Sequence, residues 1–505
     1  MFYSLVLSAV LLCLVLVYDL VRKSGRAWRL LEKFPGDYPL PFIGNALQIG
    51  FNTDETCKRL MDLFYKHGMQ NFRVTLGMEN WILLSDPDDV KIILSHPNEL
   101  SKPIERNAAM LKFFGNSVST SEGEKWRTTR KLMVSSFHYR SLEQKLEALN
   151  TNCDRLLNIL EERRGRGLVD MYRYLKPYMM DIVCDTFMGV DLNFLENPDH
   201  PYFDTGRNVI ALLTSNYFSH WRTIDPLFSL TQRYRDMTEA VKNIRDVSDM
   251  VGYRLNKIEF CAQVLKEMRS SNRDEKLKKE RDGLCLLDKF LLSRLPNGEP
   301  IPEEMINDEI SLFCYTAHYT TTITMSHALY YIAKYHRIQK ELVDEQLNIF
   351  MDDRLRKPTL DDLNKMKYLE AVVKETLRMV PTVSKIGRQI HQDLVLSDGR
   401  IVPAGSTVLV LNKALHMNPA LFPDPHTFHP ERFCGQNKPY SSVPFSAGPR
   451  NCIGSGYAWL AMKTTLSNLL RRFQINEGIE PKFAYRMLSE SRNGVQIMLS
   501  KRHLE

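Results

Sequence analysis

The stretch FSAGPRNCIG, which runs from Phe445 to Gly454, decides the fold of this chain. Gly448 and Gly454 let the backbone turn tightly and approach a flat ligand closely. A helix is predicted from Ala458 to Leu470, and a loop that leads into a helix N-terminus favours a thiolate at Cys452. Arg450 supplies a permanent positive charge for a carboxylate. A thiolate beside a cation in a glycine-rich loop suits axial ligation of haem iron. A buried structural cysteine in a turn is the alternative.

Composition is that of a large globular protein. Of the 505 residues, 44% are hydrophobic and 25% are charged, which are ordinary proportions. No Ser/Gly-rich linker or internal repeat follows residue 45, so one large compact unit is predicted. The net charge of +7 permits a basic patch for a negatively charged partner but does not indicate nucleic acid. The nine cysteines form no C-x-x-C motif, which favours reduced thiols in a domain that faces the cytosol.

The N-terminus starts with an apolar run from Phe2 to Tyr18, the short end of a membrane span. Basic residues follow this run and predict a cytosolic location for the rest of the chain; they are Arg22, Lys23, Arg26 and Arg29. A cleaved signal peptide is the alternative, but its usual basic start and small-residue cleavage site are missing. We expect residues 1–18 to be an anchor, residues 19–45 a basic and proline-rich hinge, and residues 46–505 the main domain.

A predicted helix from Glu122 to Ser136 carries Trp126 and Arg130, which lie four residues apart. The two side chains therefore share a face of the helix. An indole N–H and a guanidinium on one face can hold a carboxylate such as a haem propionate. Taken alone the pair is a weak signal, because a Trp and an Arg on a helix are usually core and surface residues.

A long helix is predicted to begin after Pro302 and to end near Arg337. Proline in the first turn and the acids that follow it are typical of a helix start. Roughly 35 residues would extend on the order of 50 Å, enough to cross a domain. Residues 315–322 at its centre read YTAHYTTT. Such a cluster of hydroxyls is unusual inside a helix because the hydroxyls compete for backbone carbonyls.

Other segments predict a buried ionic network, a hairpin, a further helix and a small sheet. Glu375 and Arg378 share a face of a helix predicted from Met366 to Met379, and Arg432 in the segment FHPERF can complete a buried network with them. Residues 72–76 and 81–85 predict a hairpin, residues 87–94 a helix, and residues 398–411 a small sheet. Residues 208–228 are rich in aromatic side chains and are either core or, by the family resemblance given below, the roof of a pocket that also touches the membrane.

In their order along the chain, these motifs resemble those of the cytochrome P450 superfamily. The loop at Cys452 matches every specified position of the superfamily's Phe-x-x-Gly-x-Arg-x-Cys-x-Gly motif. The Trp-x-x-x-Arg, central-helix, Glu-x-x-Arg and Pro-Glu-Arg-Phe motifs match at the positions given above, so the resemblance covers essentially the whole chain. The segments KYLEAVVKETLR and AHYTTT look most like the family-4 clan in an insect-like version.

The resemblance implies a fold that is mainly α with small β-sheets, a single cytochrome P450 domain on an N-terminal membrane anchor. It implies a haem-thiolate monooxygenase that inserts one oxygen atom of O2 into a lipophilic small molecule. Haem b (iron protoporphyrin IX) would be bound, with Cys452 as the metal ligand. The other expected cofactor-binding residues are Trp126, Arg130, Arg450, Phe445 and Gly448. Thr320 matches the threonine that supports oxygen activation, and Thr321 beside it is a second catalytic candidate.

The central helix departs from the superfamily pattern. Ala317 stands where glycine is usual, and Tyr319 stands where Asp or Glu is usual. A phenol is a poor substitute for a carboxylate near neutral pH, so we expect inefficient proton delivery and more product per NADPH in Tyr319→Asp. Thr316 stands where many family-4 relatives carry a glutamate that becomes esterified to haem. Haem is therefore expected to be held non-covalently apart from the bond between Cys452 and iron.

The resemblance also implies partners and a location. Electrons would come from NADPH-cytochrome P450 reductase, with cytochrome b5 as a second candidate donor, because the chain has no Gly-x-Gly-x-x-Gly motif for its own dinucleotide. Lys125, Arg127 and Lys131 are the expected docking residues, unless they are only a solvated helix face. The expected location is the endoplasmic reticulum membrane, with the catalytic domain in the cytosol. An oxygen-independent isomerase or dehydratase, or a haem-binding carrier or sensor without turnover, remain as alternatives.

Overall fold

The computed structural model describes residues 2–50, 53–77, 79–103, 110–217, 230–252, 285–435 and 438–502. Most of these residues lie in helices, and the strands form small sheets. The predicted class, mainly α with small β-sheets, is confirmed. Of the segment predicted as core or pocket roof, residues 218–228 lie outside the described residues.

The helices follow the predicted order. In the first half of the chain they are α1 (Phe2–Ser24), α2 (Arg26–Leu31), α3 (Ala46–Ile49), α4 (Thr53–Lys66), α5 (Pro87–Leu94), α6 (Gly123–Val134), α7 (Tyr139–Arg163), α8 (Met171–Val183), α9 (Pro201–Tyr217) and α10 (Gln232–Gly252). In the second half they are α11 (Leu286–Leu292), α12 (Glu303–Lys334), α13 (His336–Phe350), α14 (Leu360–Lys365), α15 (Lys367–Met379), α16 (Asn412–His416) and α17 (Ser455–Arg472).

The strands are β1 (Phe72–Leu76), β2 (Glu79–Leu84), β3 (Leu168–Asp170), β4 (Lys385–Gln389), β5 (Leu394–Val395), β6 (Ile401–Val402), β7 (Thr407–Leu411), β8 (Phe473–Ile479), β9 (Phe483–Tyr485), β10 (Ser489–Ser491) and β11 (Gln496–Lys501). One sheet has the order β1-β2-β7-β4 and another the order β3-β11-β8. The predicted hairpin is confirmed as β1 and β2. Strand β2 then pairs in parallel with β7, so β7 lies between the N-terminal hairpin and β4.

Helix α12 is the long central helix that the sequence predicts. It has 32 residues, and most of its side chains are buried on all sides, as expected for a helix in the core of a large protein. Glu303 and Glu304 lie in its first turn, directly after Pro302. The helix ends at Lys334 rather than at Arg337, because Tyr335 leaves the helical conformation and α13 starts at His336.

The N-terminal segment packs against the main domain. Trp28, Leu31 and Phe34 are buried in a hydrophobic cluster with residues of β2 and β7, and Arg22 donates to the carbonyl of Gly77 at 3.0 Å. Residues 35–39 form neither helix nor strand, as their prolines predict. Within the described residues, no helix combines the length and the apolar character that crossing a membrane requires.

A buried ionic network joins α15 to the segment that leads to the cysteine loop. Arg378 donates Nε and Nη2 to the two carboxylate oxygens of Glu375, at 2.7 and 2.8 Å. Arg432 and the backbone N–H of His429 donate to the same carboxylate at 3.2 and 2.8 Å. The side chains of Glu375 and Arg378 are fully buried. The structure thus brings Glu375, Arg378 and Arg432 together as the sequence predicts.

Glu375→Gln should lower the free energy of unfolding by roughly 3 to 5 kcal/mol, because it leaves a buried guanidinium without its counter-charge. Urea unfolding followed by circular dichroism measures this loss. Glu55→Gln is the matched control, since Glu55 pairs with Arg59 at 3.0 Å on the exposed face of α4; its cost should stay below about 1 kcal/mol. Similar small losses in both variants would contradict a central role for the network.

Candidate active site

The cysteine loop has a geometry that only a glycine at position 448 permits. Gly448 has a φ of +68°, and an added Cβ would lie 2.0 Å from the carbonyl oxygen of Leu94. The backbone N–H of Cys452 donates to the carbonyl of Phe445 at 2.9 Å. Helix α17 begins directly after Gly454. The loop is therefore closed on itself and held against α5, with Cys452 just before the helix.

The side chain of Cys452 lines a cavity of about 320 Å³, and its accessible surface opens into that cavity. The surrounding protein desolvates the sulfur and so raises the pKa of the Cys452 thiol, whereas the N–H of Gly454 and the charge of Arg130 lower it. Coordination to a metal ion deprotonates a thiol outright. The sulfur is thus placed as a ligand that a metal ion inside the cavity can reach.

Helix α12 also lines this cavity. Thr316, Ala317, Thr320, Thr321 and Thr324 are all lining residues. The hydroxyl of Thr320 donates to the carbonyl of Thr316 at 3.0 Å, and that of Thr321 donates to Ala317 at 3.1 Å. These bonds orient the hydroxyls and leave the oxygen atoms available as acceptors. Both predicted catalytic threonines thus border the cavity that also contains Cys452.

Two arginines and a tryptophan form the edge of the cavity near α6. The guanidinium carbon of Arg450 lies 4.1 Å from the ring centroid of Trp126, and that of Arg130 lies 5.9 Å away. Arg130 donates to the carbonyl of Asn451 at 3.0 Å, and Arg450 donates to the carbonyl of Ser121 at 2.9 Å. Among the described residues, neither guanidinium has a carboxylate within salt-bridge distance, and Nε of Arg450 is buried without a hydrogen-bond partner.

Partial burial makes the charges of Arg130 and Arg450 costly. It lowers the pKa of Arg130, and it lowers the pKa of Arg450 to about 10. An anionic ligand would offset the cost, because opposite charge and hydrogen bonds both favour the charged guanidinium. Every predicted cofactor-binding side chain, at Cys452, Trp126, Arg130, Arg450 and Phe445, lines the same cavity. Gly448 acts through the turn instead.

Three further basic residues line the cavity and were missed in the sequence: Lys102, Lys385 and Arg388. The last two lie in β4, whose five residues are all buried. A lysine and an arginine in a fully buried strand are a usable signal, since such charges are rarely buried unless paired. The described lining residues include no Asp or Glu. These three side chains add basic groups to the lining contributed by Arg130 and Arg450.

The residues present fit haem. The thiol of Cys452 can bind iron, and the guanidiniums of Arg130 and Arg450 can bind two carboxylates. Apolar lining residues can cover the faces of a porphyrin; among them are Leu312, Phe313, Leu377, Val383, Ile453 and Ala458. A flat, dianionic ligand with a metal at its centre matches this donor set better than a neutral one.

Tyr319 is not among the residues that line the cavity. Its phenol donates to Oε2 of Glu490 at 2.6 Å, and both residues are buried. An aspartate at position 319 would place a second carboxylate near Glu490, and like charges in a buried site disfavour ionisation. The expectation that Tyr319→Asp improves coupling therefore loses its structural basis.

The model of the family described as Cytochrome P450 matches residues 34–490. The chain belongs to the cytochrome P450 family. It is 31% identical over 456 residues to Probable cytochrome P450 4e1 of Drosophila melanogaster, covering 89% of this chain and 83% of the relative. It is 32% identical over 479 residues to Cytochrome P450 4d2 of the same species, covering 93% and 94%. Cytochrome P450 4e5, mitochondrial, of Drosophila mettleri is 29% identical over 445 residues, covering 87% and 83%.

The predicted resemblance to the cytochrome P450 superfamily and to its family 4 is confirmed. As a cytochrome P450, the protein is an oxidoreductase, a haem-thiolate monooxygenase that binds haem through a bond between cysteine and iron.

Proposed function

We propose that Cys452 is the thiolate ligand of the haem iron and that the monooxygenase reaction takes place between Cys452 and Thr320. The observation that carries this proposal is the single cavity lined both by the cysteine loop and by the threonines of α12. Bound haem supplies the activation of O2. Lipophilic substrates suit the apolar part of the lining.

The residues of this chain have distinct roles in the proposal. Arg130 and Arg450 bind the propionates, and both guanidiniums lie near the ring of Trp126. Phe445 and Gly448 shape the loop so that the sulfur of Cys452 faces the cavity. Oγ1 of Thr320 can accept or pass on a proton inside the cavity. Thr321 places a second hydroxyl beside it at the same cavity. The haem is otherwise non-covalent, because Thr316 offers no carboxylate for an ester bond.

Cys452→Ser should abolish the red-shifted absorbance band that a thiolate-ligated haem gives with carbon monoxide, because a serine hydroxyl does not replace the thiolate. Absorbance spectra of the reduced protein with carbon monoxide measure the band. Cys434→Ser is the matched control, since Cys434 is exposed and does not line the cavity; its band should be unchanged. A band that persists in Cys452→Ser would mean that another cysteine binds the iron.

We also propose that residues 1–18 anchor the protein, residues 19–45 act as a hinge, and the haem domain of residues 46–505 faces the cytosol at the endoplasmic reticulum. Besides the apolar run, large apolar side chains are exposed just after α2: Tyr38 is 70% exposed, Phe42 60% and Leu47 56%. Lys23 near the end of α1 lies 4.0 Å from the ring centroid of Tyr38. These side chains and α1 can contact the same lipid surface.

The full-length protein should remain in the membrane pellet after washing with alkaline carbonate. A chain that starts at Asp19 should be released more readily, and it keeps the buried Trp28, Leu31 and Phe34, so a folding defect does not confuse the comparison. Immunoblots of pellet and supernatant measure the distribution. A soluble full-length protein contradicts the anchor, and co-fractionation with mitochondria contradicts the endoplasmic reticulum.

The electron donor in this proposal is NADPH-cytochrome P450 reductase, with cytochrome b5 as a second donor. Helix α6 supports a docking surface, because Trp126 faces the interior while Arg127 and Lys131 are exposed. Lys125 is partly exposed on the same helix. A cationic face on a helix that also lines the cavity can steer an acidic partner toward this side of the site.

The double charge reversal Arg127→Glu/Lys131→Glu should slow iron reduction by the reductase about tenfold at low salt, because it reverses the steering charge. Stopped-flow absorbance in the presence of carbon monoxide measures this rate. Arg235→Glu/Lys242→Glu makes the same charge change on exposed positions of α10 and should have little effect. If both pairs slow reduction equally, net charge rather than docking at α6 explains the result.

A further inference from the structure

The phenol of Tyr319 joins the central helix to the β9–β10 hairpin. Its hydrogen bond to Glu490 is 2.6 Å long and spans 171 residues of sequence. Burial and the neighbouring carboxylate raise the pKa of Tyr319 well above its usual value, so the phenol remains a donor. An added Cβ at Gly206 would lie 2.8 Å from the ring of Tyr319. The glycine in α9 therefore leaves the space that the ring of Tyr319 occupies.

The hairpin is in turn bonded to the segment between α15 and β4. The N–H of Ser489 donates to the carbonyl of Thr382 at 2.9 Å, and its hydroxyl donates to the carbonyl of Pro381 at 2.7 Å. From the other side, the hydroxyl of Ser384 donates to the carbonyl of Arg486 at 2.6 Å. Residues 381–384 are therefore held along the hairpin by bonds in both directions.

This segment is a wall of the haem cavity. Thr382 and Val383 line the cavity, as does Thr324 of α12. The hydroxyls of Thr382 and Thr324 are 2.9 Å apart and share a hydrogen bond. The contacts form a closed ring: α12 to the hairpin through Tyr319, the hairpin to the wall through Ser489, and the wall back to α12 through Thr324.

We propose that the Tyr319–Glu490 hydrogen bond fixes the Thr382–Val383 wall of the cavity, so that Tyr319 and Glu490 are specificity-determining positioning residues. The inference deepens the proposed function and rests on it, since the wall matters only for a ligand bound beside the haem. Tyr319 does not line the cavity, so it acts through the hairpin rather than on the substrate.

The cationic side chains near Tyr319 and Glu490 favour a positioning role for their hydrogen bond. Arg486 donates to the other carboxylate oxygen of Glu490 at 3.3 Å, and the ammonium of Lys176 lies 5.3 Å from the ring centroid of Tyr319. Glu490 thus has a cation of its own hairpin, Arg486, beside it as well as the phenol of Tyr319. A hydrogen bond to a charged group is also stronger than a neutral one.

The test compares Tyr319→Phe with Tyr315→Phe in the haem-loaded, full-length protein. Tyr315 stacks on Tyr319 with ring centroids 5.4 Å apart, but its hydroxyl bonds to the carbonyl of Gly206 in α9. Two readouts are used: amide hydrogen exchange of residues 483–491, and absorbance titration with 1-dodecylimidazole and with imidazole. The long-chain azole contacts the cavity wall, whereas imidazole reports only on access to the iron.

Tyr319→Phe should speed exchange in the hairpin and weaken 1-dodecylimidazole binding by about tenfold each, the loss expected for a hydrogen bond to a charged group. Imidazole affinity and both readouts in Tyr315→Phe should remain near those of the wild type. Glu490→Gln keeps an acceptor but removes the charge, so it should fall between the wild type and Tyr319→Phe, while Glu490→Ala should change both readouts at least as much as Tyr319→Phe. This second pair decides the question if Tyr319→Phe does not fold.

Unchanged hairpin exchange and unchanged azole selectivity in Tyr319→Phe and Glu490→Ala would overturn the proposal. Failure of the proposed function gives a different result: the carbon monoxide band would persist in Cys452→Ser, while the hydrogen exchange comparison would still report on the hairpin.

Discussion

Two partly buried guanidiniums, those of Arg130 and Arg450, impose the constraint on which the site depends. Taking a charge out of water is costly unless polar partners compensate it. Here the compensation comes from the face of Trp126 and from backbone carbonyls at Ser121 and Asn451. These contacts join α6, the loop before it and the cysteine loop into one unit. Among the described residues, these contacts bring no carboxylate within salt-bridge distance of either guanidinium, and the carboxylates of the proposed haem would add that negative charge.

Helix α12 fixes both sides of the cavity. Toward its N-terminus, Asp308 and Glu309 accept hydrogen bonds from the backbone N–H groups of Asn116 and Val118, at 2.8 and 2.6 Å. Burial raises the pKa of Glu309 to about 8, a sign of how deeply this contact is enclosed. Three residues after Glu309, at Leu312, the residues of α12 that line the cavity begin, and Tyr319 reaches the hairpin from another face of the helix. One rigid helix thus sets the distance between the loop at residue 118, the threonines and the wall at residue 382.

Much of this arrangement could be predicted from local sequence. Helix starts at Pro87 and Pro302 and the turn at Gly448 depend on neighbouring residues, so short patterns predict them well. The Glu375–Arg378–Arg432 network could be predicted from motif order. The parallel pairing of β2 with β7 could not, because nothing in either strand specifies a partner so distant in sequence. Lys385 and Arg388 were missed for a related reason. They line the cavity because β4 pairs with β7, and the sequence of β4 does not specify that pairing.

Tyr319 departs from the family motif, and the structure gives this departure a different meaning from the one that the sequence suggests. In the sequence it is a missing acid, which suggests a defect in proton delivery. In the structure the carboxylate is present at Glu490, on a hairpin 171 residues away, and the phenol is its partner. Because the hydroxyl of Tyr319 points away from the cavity, the proton-bearing groups of α12 that reach the cavity are the threonine hydroxyls. The phenol of Tyr319 is a hydrogen-bond donor on a longer side chain than the Asp or Glu that is usual in the family. This side chain reaches Glu490, and the hairpin that carries Glu490 is bonded to the Thr382–Val383 wall of the cavity.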